Sequence, residues 1–254
     1  MKLNDNLVKT GEWLFKKRGV FPFLILPVVA LALRQAEGLE RVFGTPVQSF
    51  WEVLCITISF SGLIVRAVTV GWVPEGTSGR NTQGQLADYL NTEGIYSIVR
   101  HPLYLGNFLI TFGMILFIQV WWLAAIFILS FWLFYERIMM AEEDFLEKKF
   151  GAVFTRWSET TSAFFPNFSQ WRNPRLPFSM RMVLKREYST FFGIITAFVL
   201  IKFLAELLAS GHVRFHLSWL IFFTIGLSVY LTLRTLRKKT RLLHVDAESR
   251  RPVL

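Results

Sequence analysis

Two short runs hold the residue types and spacings that could do chemistry. One is Arg100-His101-Pro102-Leu103-Tyr104-Leu105-Gly106, at the mouth of a long apolar stretch; the other is Glu142-Glu143, shortly after Arg137. Proline disfavours helix in the residue before it and suits the first helical position. His101 is therefore expected to be extended, with a helix starting at Pro102. The free N–H groups and positive dipole end of that helix, with Arg100 beside them, form a seat for a carboxylate or phosphate. Tyr104 falls in the first turn, near His101. Gly106 removes a side chain where another group can approach closely. The same residues also read as a membrane-interface cluster: a snorkelling arginine, a belt tyrosine and a helix-starting proline.

In the second run, Met139, Glu143, Leu146 and Phe150 recur at helical spacing, so Glu143 shares a face with apolar residues. A carboxylate there needs a cation from the protein or from a ligand. Asp144 and Lys148 are spaced to pair on the outer face. The alternative is a solvated helix whose acids face water. Other chemistries find little support. The four histidines lack metal-ligand spacing, "GTSGRNTQG" opens no dinucleotide-binding unit, and no Gly-x-Ser-x-Gly elbow is present. The single cysteine, Cys55, sits in an apolar block and reads as a packing residue.

The elements that must position these residues are membrane helices. Of the 254 residues 53% are hydrophobic and only 18% charged, against about 25% charged in soluble domains. Apolar blocks at 19–33, 48–72, 103–119, 121–135, 188–209 and 215–233 predict an all-α, polytopic membrane helical bundle of about six transmembrane helices. The first block is read as a retained short span, since no small-x-small cleavage site follows it. With both termini cytoplasmic, the inside segments 1–18, 73–102, 136–187 and 234–254 hold 23 of the 28 Lys and Arg, as the positive-inside rule expects. The +10 net charge then points to anionic lipid rather than nucleic acid. Two inside segments, 73–102 and 136–187, are too long for simple turns and bracket the 103–135 hairpin, where a site is expected. Arg66 is expected to snorkel to the inside surface and Lys202 to pair with Glu206.

In order and spacing, "LNTEGIYSIVRHPLYLGN", the apolar hairpin and "YERIMMAEEDFLEKKFGAVFTRW" resemble the isoprenylcysteine carboxyl methyltransferase and phospholipid methyltransferase family. The resemblance covers residues 88–166. It divides the chain into N-terminal helices (1–87), a methyltransferase core with cytoplasmic cofactor-binding loops (88–166), and a linker with two further spans (167–254). It implies an integral-membrane enzyme that moves a methyl group from S-adenosylmethionine to a lipid phosphate, an aminophospholipid headgroup or a prenylcysteine carboxylate. It also implies a cofactor cradle of the Leu90-Asn91 backbone, Tyr96, His101, Pro102, Leu103 and Tyr104, with Glu142 as the contacting acid and Glu143 beside it. Arg137 falls near a substrate-contacting position. Arg137 and Arg100 are thus the candidate catalytic residues, and no metal is expected.

The sequence departs from the family at Phe154 and Trp157, where tyrosines are usual, at Thr160 in place of an arginine, and at Ser162 in place of a proline. The missing arginine argues against a prenylcysteine carboxylate, unless Arg156 substitutes from one turn earlier. Three rivals stand beside the methyltransferase. An NADPH-dependent sterol-type reductase shares the Arg-His-Pro neighbourhood but usually has more preceding spans. A transporter would be built around Lys202 and Glu206. A scaffold would keep the fold without catalysis.

Overall fold

The computed structural model describes residues 3–35, 44–74, 87–212 and 216–243. Much of the predicted polar loop 73–102, all of "EGTSGRNTQGQL", lies outside them, as do Arg41, Arg214 and the end of the basic tail. The described residues form eight α-helices and no β-strand: α1 (Leu3–Lys16), α2 (Phe21–Arg34), α3 (Thr45–Trp72), α4 (Pro102–Phe117), α5 (Trp121–Phe150), α6 (Ala152–Thr160), α7 (Met180–Ser210) and α8 (Leu217–Lys239).

Four of these, α3, α5, α7 and α8, are long and apolar enough to cross a bilayer. The other two predicted spans are shorter. The 14 residues of α2 and 16 of α4 reach about 21 and 24 Å at ~1.5 Å per residue, against a hydrocarbon thickness of ~30 Å. The hairpin also differs from expectation in its second arm. The predicted span 121–135 and the amphipathic helix after it are one continuous helix, α5, of 30 residues. Helix α1 was not foreseen; it lays Leu14 and Phe15 against the core.

Helices α3 and α4 approach closely through small residues. A Cβ on Gly62 would meet the Gly106 carbonyl oxygen at 2.5 Å, and one on Gly113 would strike Ser59 Oγ. Ser59 Oγ donates to the Ile110 carbonyl at 2.7 Å across the same seam. What approaches Gly106 is thus helix α3, with Arg66 Cγ 2.6 Å from the position of a Cβ. Between α4 and α5 the core is aromatic: Phe108, Phe127, Phe131 and Phe164 meet in stacked and edge-on pairs, and Cys55 is fully buried nearby against α4. Helices α7 and α8 are mostly unburied within the chain and pack on each other, with Tyr230 stacked on Phe192 at 4.7 Å.

Arg66 and Lys202, within the bundle, are both paired. Arg66 does not snorkel. Its Nε and Nη2 donate to the two oxygens of Glu187 on α7 at 2.9 and 2.8 Å, and its Nη1 donates to Asn107 at 2.7 Å. Lys202 lies 3.7 Å from Glu206 as expected, but its shorter contact, 2.8 Å, is with Glu52 on α3.

Candidate active site

Pro102 is the first residue of α4, as the sequence predicts; His101 before it, with φ −118° and ψ 60°, is outside the helical region but short of the extended conformation expected. A long connection then folds back over this helix start. Arg100 N–H donates to the Ser162 carbonyl at 2.8 Å, His101 N–H to Ala163 at 3.1 Å, and Asn167 N–H to the Ile98 carbonyl at 2.9 Å. Farther along, Gly94 N–H donates to the Arg172 carbonyl at 2.9 Å, and Arg172 N–H to Ser97 Oγ at 2.9 Å. Residues 161–172 therefore form a strap laced to 94–101 by backbone bonds. Trp157 adds Nε1–H to the Tyr96 carbonyl at 3.1 Å, so this departure from the family's tyrosine still ties α6 to the same segment.

The last turns of α5 bring Glu142 and Glu143 over the helix start. His101 is buried between them. Its Nε2 lies 2.9 Å from Glu143 Oε1, and its Nδ1 lies 3.4 Å from Glu142 Oε2. Tyr104, stacked on His101 at 5.7 Å between ring centroids, donates its hydroxyl to Glu142 Oε1 at 2.7 Å. Arg100 Nε stands 3.0 Å from Glu143 Oε1 as an ion pair, without the alignment of a hydrogen bond, and its Nη1 donates to the Ser158 carbonyl at 2.6 Å. The expected demand of Glu143 for a cation is met twice. Asp144 and Lys148 pair on the outer face at 2.6 Å, also as expected.

Both ring nitrogens of His101 face carboxylates, and only the doubly protonated imidazolium can donate to both. Burial alone would lower its pKa, but the hydrogen bonds it donates to Glu142 and Glu143, and the charges of those carboxylates, outweigh burial and hold it above its ordinary value. A cationic His101 orients carboxylates; it has no free lone pair for a general base or a metal. Two carboxylates, an imidazolium and a guanidinium leave the cluster near neutrality. The least committed acceptor is Glu142 Oε2, whose one contact is the long 3.4 Å approach to His101.

The other expected site residues are placed less centrally. Tyr96 lies in the 3₁₀ turn Ile95–Ser97 beside the cluster, Pro102 is fully buried, and Leu103 is half-buried. Leu90 and Asn91 are half-buried in the incoming loop. Arg137 does not join the cluster. It lies five residues from Glu142, about 140° round α5 at ~100° per residue, and its Nη1 donates to the Leu133 carbonyl at 2.5 Å. Arg156 is exposed, with its Nε directed to its own helix's Ala152 carbonyl at 3.4 Å. Two groups near the cluster escaped the sequence reading. Asn107, one helical turn beyond Tyr104, joins Arg66 to the hydroxyl of Tyr135, whose ring lies 4.9 Å from that of Tyr104. Arg18, over the Phe15 ring at 4.1 Å, is within electrostatic range of Tyr104 and Tyr135.

Residues 48–153 match the family described as phospholipid methyltransferase. The nickel-cobalt-cadmium resistance protein NccN of Alcaligenes xylosoxydans xylosoxydans is 33% identical over 154 residues, covering 58% of this chain and 72% of that protein. The cobalt-zinc-cadmium resistance protein CzcN of Cupriavidus metallidurans is 32% identical over 154 residues, covering 61% of this chain and 65% of that protein. No solved structure matches.

Proposed function

The chain belongs to the phospholipid methyltransferase family, and from that premise we propose that it methylates a membrane lipid from S-adenosylmethionine at the cluster of Arg100, His101, Tyr104, Glu142 and Glu143. The observation that carries this reading is the paired carboxylates fixed over a helix start, with Glu142 Oε2 only loosely engaged. The donor set fits a cofactor carrying an ammonium and a sulfonium, since both cations need carboxylate neighbours in a poorly solvated place. Glu142 would hold the ammonium. Glu143, already bound by His101 and Arg100, would offset those two cations in part and leave Glu142 free for the ligand's charge. Tyr96, Leu103 and the Leu90-Asn91 backbone are assigned to the cradle by family position. When bound, S-adenosylmethionine supplies an electrophilic methyl group.

The chain's own residues do the rest by alignment, which can contribute most of the effect when the acceptor is already nucleophilic. Tyr104 and His101 lock the Glu142 carboxylate, and the strap keeps water from the backbone around His101. Thr160 in place of an arginine, with Arg156 turned onto its own helix, favours a phospholipid headgroup over a prenylcysteine carboxylate. The acceptor would enter from the bilayer and the cofactor from the cytoplasmic loops, with both termini on the cytoplasmic side, where 23 of 28 Lys and Arg then lie.

Purified protein in nanodiscs, titrated with S-adenosylmethionine, S-adenosylhomocysteine and NADPH, tests the reading by thermal stabilisation. Stabilisation by the first two is expected, and labelled methyl transfer into fractionated lipids then identifies the acceptor. Stabilisation by NADPH alone overturns the proposal in favour of a reductase. The names of the two relatives add a phenotype: loss of the chain changes cobalt and cadmium tolerance in step with lipid methylation.

A further inference from the structure

On the far side of α5 from Tyr135, helices α1, α2 and α5 enclose a groove of about 550 Å³. Arg137 is about 200° round the helix from Tyr135 at ~100° per residue, so this groove is separate from the carboxylate cluster. Its mouth carries Asn6, Thr10 and Arg137, and its length is apolar, with Ile25, Val28 and Ile126 along it. The stripe from Ile126 to Arg137 spans eleven residues, about 16 Å of helix. Leu24 and Leu133 border it and are well exposed, so it opens sideways to the bilayer.

The mouth discriminates by charge. Among the described residues none that lines the groove is acidic, so none of them neutralises a headgroup ammonium. Among the described residues Arg137 makes no ion pair, and its one hydrogen bond goes to Leu133 of its own helix, which leaves four of its five N–H donors. The Thr10 hydroxyl proton is used on the Asn6 carbonyl at 2.7 Å, and the Asn6 amide adds neutral donors at the same mouth. Donors at the membrane surface above an apolar trough match a phosphate above an acyl chain.

We propose that this groove is a lipid site distinct from the methyl-transfer centre. It takes an anionic glycerophospholipid, with the phosphate on Arg137 and one acyl chain along Val28 and Ile126. The test is native mass spectrometry of the full chain in detergent with palmitoyl-oleoyl phosphatidylglycerol or phosphatidylcholine, and it needs no methyl transfer, so its outcome is independent of the proposed reaction. Wild type is expected to retain one phosphatidylglycerol in preference to phosphatidylcholine. Arg137→Gln weakens that binding roughly five-fold, as loss of one basic contact to an anionic lipid should. Ser130→Phe, which narrows the trough, weakens both lipids. Lys239→Gln, an exposed charge elsewhere, leaves the preference unchanged. Equal losses in Arg137→Gln and Lys239→Gln would show only net-charge attraction and overturn the site. So would unchanged binding in folded Arg137→Gln or folded Ser130→Phe.

Discussion

Arg66, against Gly106 and Asn107 on α4, and Arg100, just before that helix, are treated differently. Arg66 is well satisfied: all three of its nitrogens donate in good geometry to Glu187 and Asn107, and its ion-pair partner Glu187 is buried. Arg100 is under-used. Its Nε faces Glu143 without an aligned bond, and the acids around it keep about a quarter of their side-chain surface exposed. A guanidinium held by three directed bonds fixes helices, whereas a less satisfied charge cluster at a membrane surface can still accept a ligand. Intramembrane charge is thus a poor guide to a site until its hydrogen-bonding capacity has been counted.

The strongest way to break this contrast is Glu187→Ala. It leaves a buried guanidinium unpaired and should cost about 3–5 kcal/mol, read as a lower unfolding midpoint, while folded protein keeps its cofactor affinity. A stable variant with lost affinity would reverse the two roles. Glu142→Gln should do the opposite: S-adenosylmethionine binding weakens roughly ten- to hundred-fold, the worth of a charged hydrogen bond of ~1.5–3 kcal/mol, with little change in midpoint. The pH dependence of His101 sharpens the picture of a cationic linchpin. Its folded pKa lies above the ordinary 6.5, so its stabilisation is complete below that value and is lost as pH rises through the folded one. The midpoint difference between wild type and His101→Gln should therefore shrink from about pH 6 to about pH 9; growth over that range would mean the ring is neutral. Trp157→Phe should have the smallest effect, about 1 kcal/mol for one hydrogen bond to the Tyr96 carbonyl.

Local rules made part of this site legible. The helix start at Pro102, the non-helical His101 before it and the need of Glu143 for a cation all follow from neighbouring residues. The Arg66–Glu187 pair joins residues 121 positions apart, and no pattern along one chain announces such a partner. The role of Gly106 could have been found: Ser59, Gly62, Gly106 and Gly113 form a ladder of small residues at helical spacings, the usual mark of two membrane helices in close contact. Helix α1 also left a signal, since Leu7, Gly11, Leu14 and Phe15 lie on one face, and a Cβ at Gly11 would strike the Arg137 carbonyl. The strap left none, because four of its five bonds join backbone groups that all residues but proline carry in full, and only Ser97 takes part by its side chain.

That strap has a consequence for biosynthesis. The family match ends at residue 153, yet the amides of Arg100 and His101 find their acceptors only at Ser162 and Ala163. At ~5–20 residues per second, the 62 residues between Arg100 and Ser162 take on the order of 3 to 12 s to synthesise. During that interval both arms of the hairpin are made while the loop carrying His101 still lacks its backbone partners. A ribosome that stalls just past the end of the family match leaves a nascent chain with every charged residue of the cluster but without the backbone acceptors of Arg100 and His101.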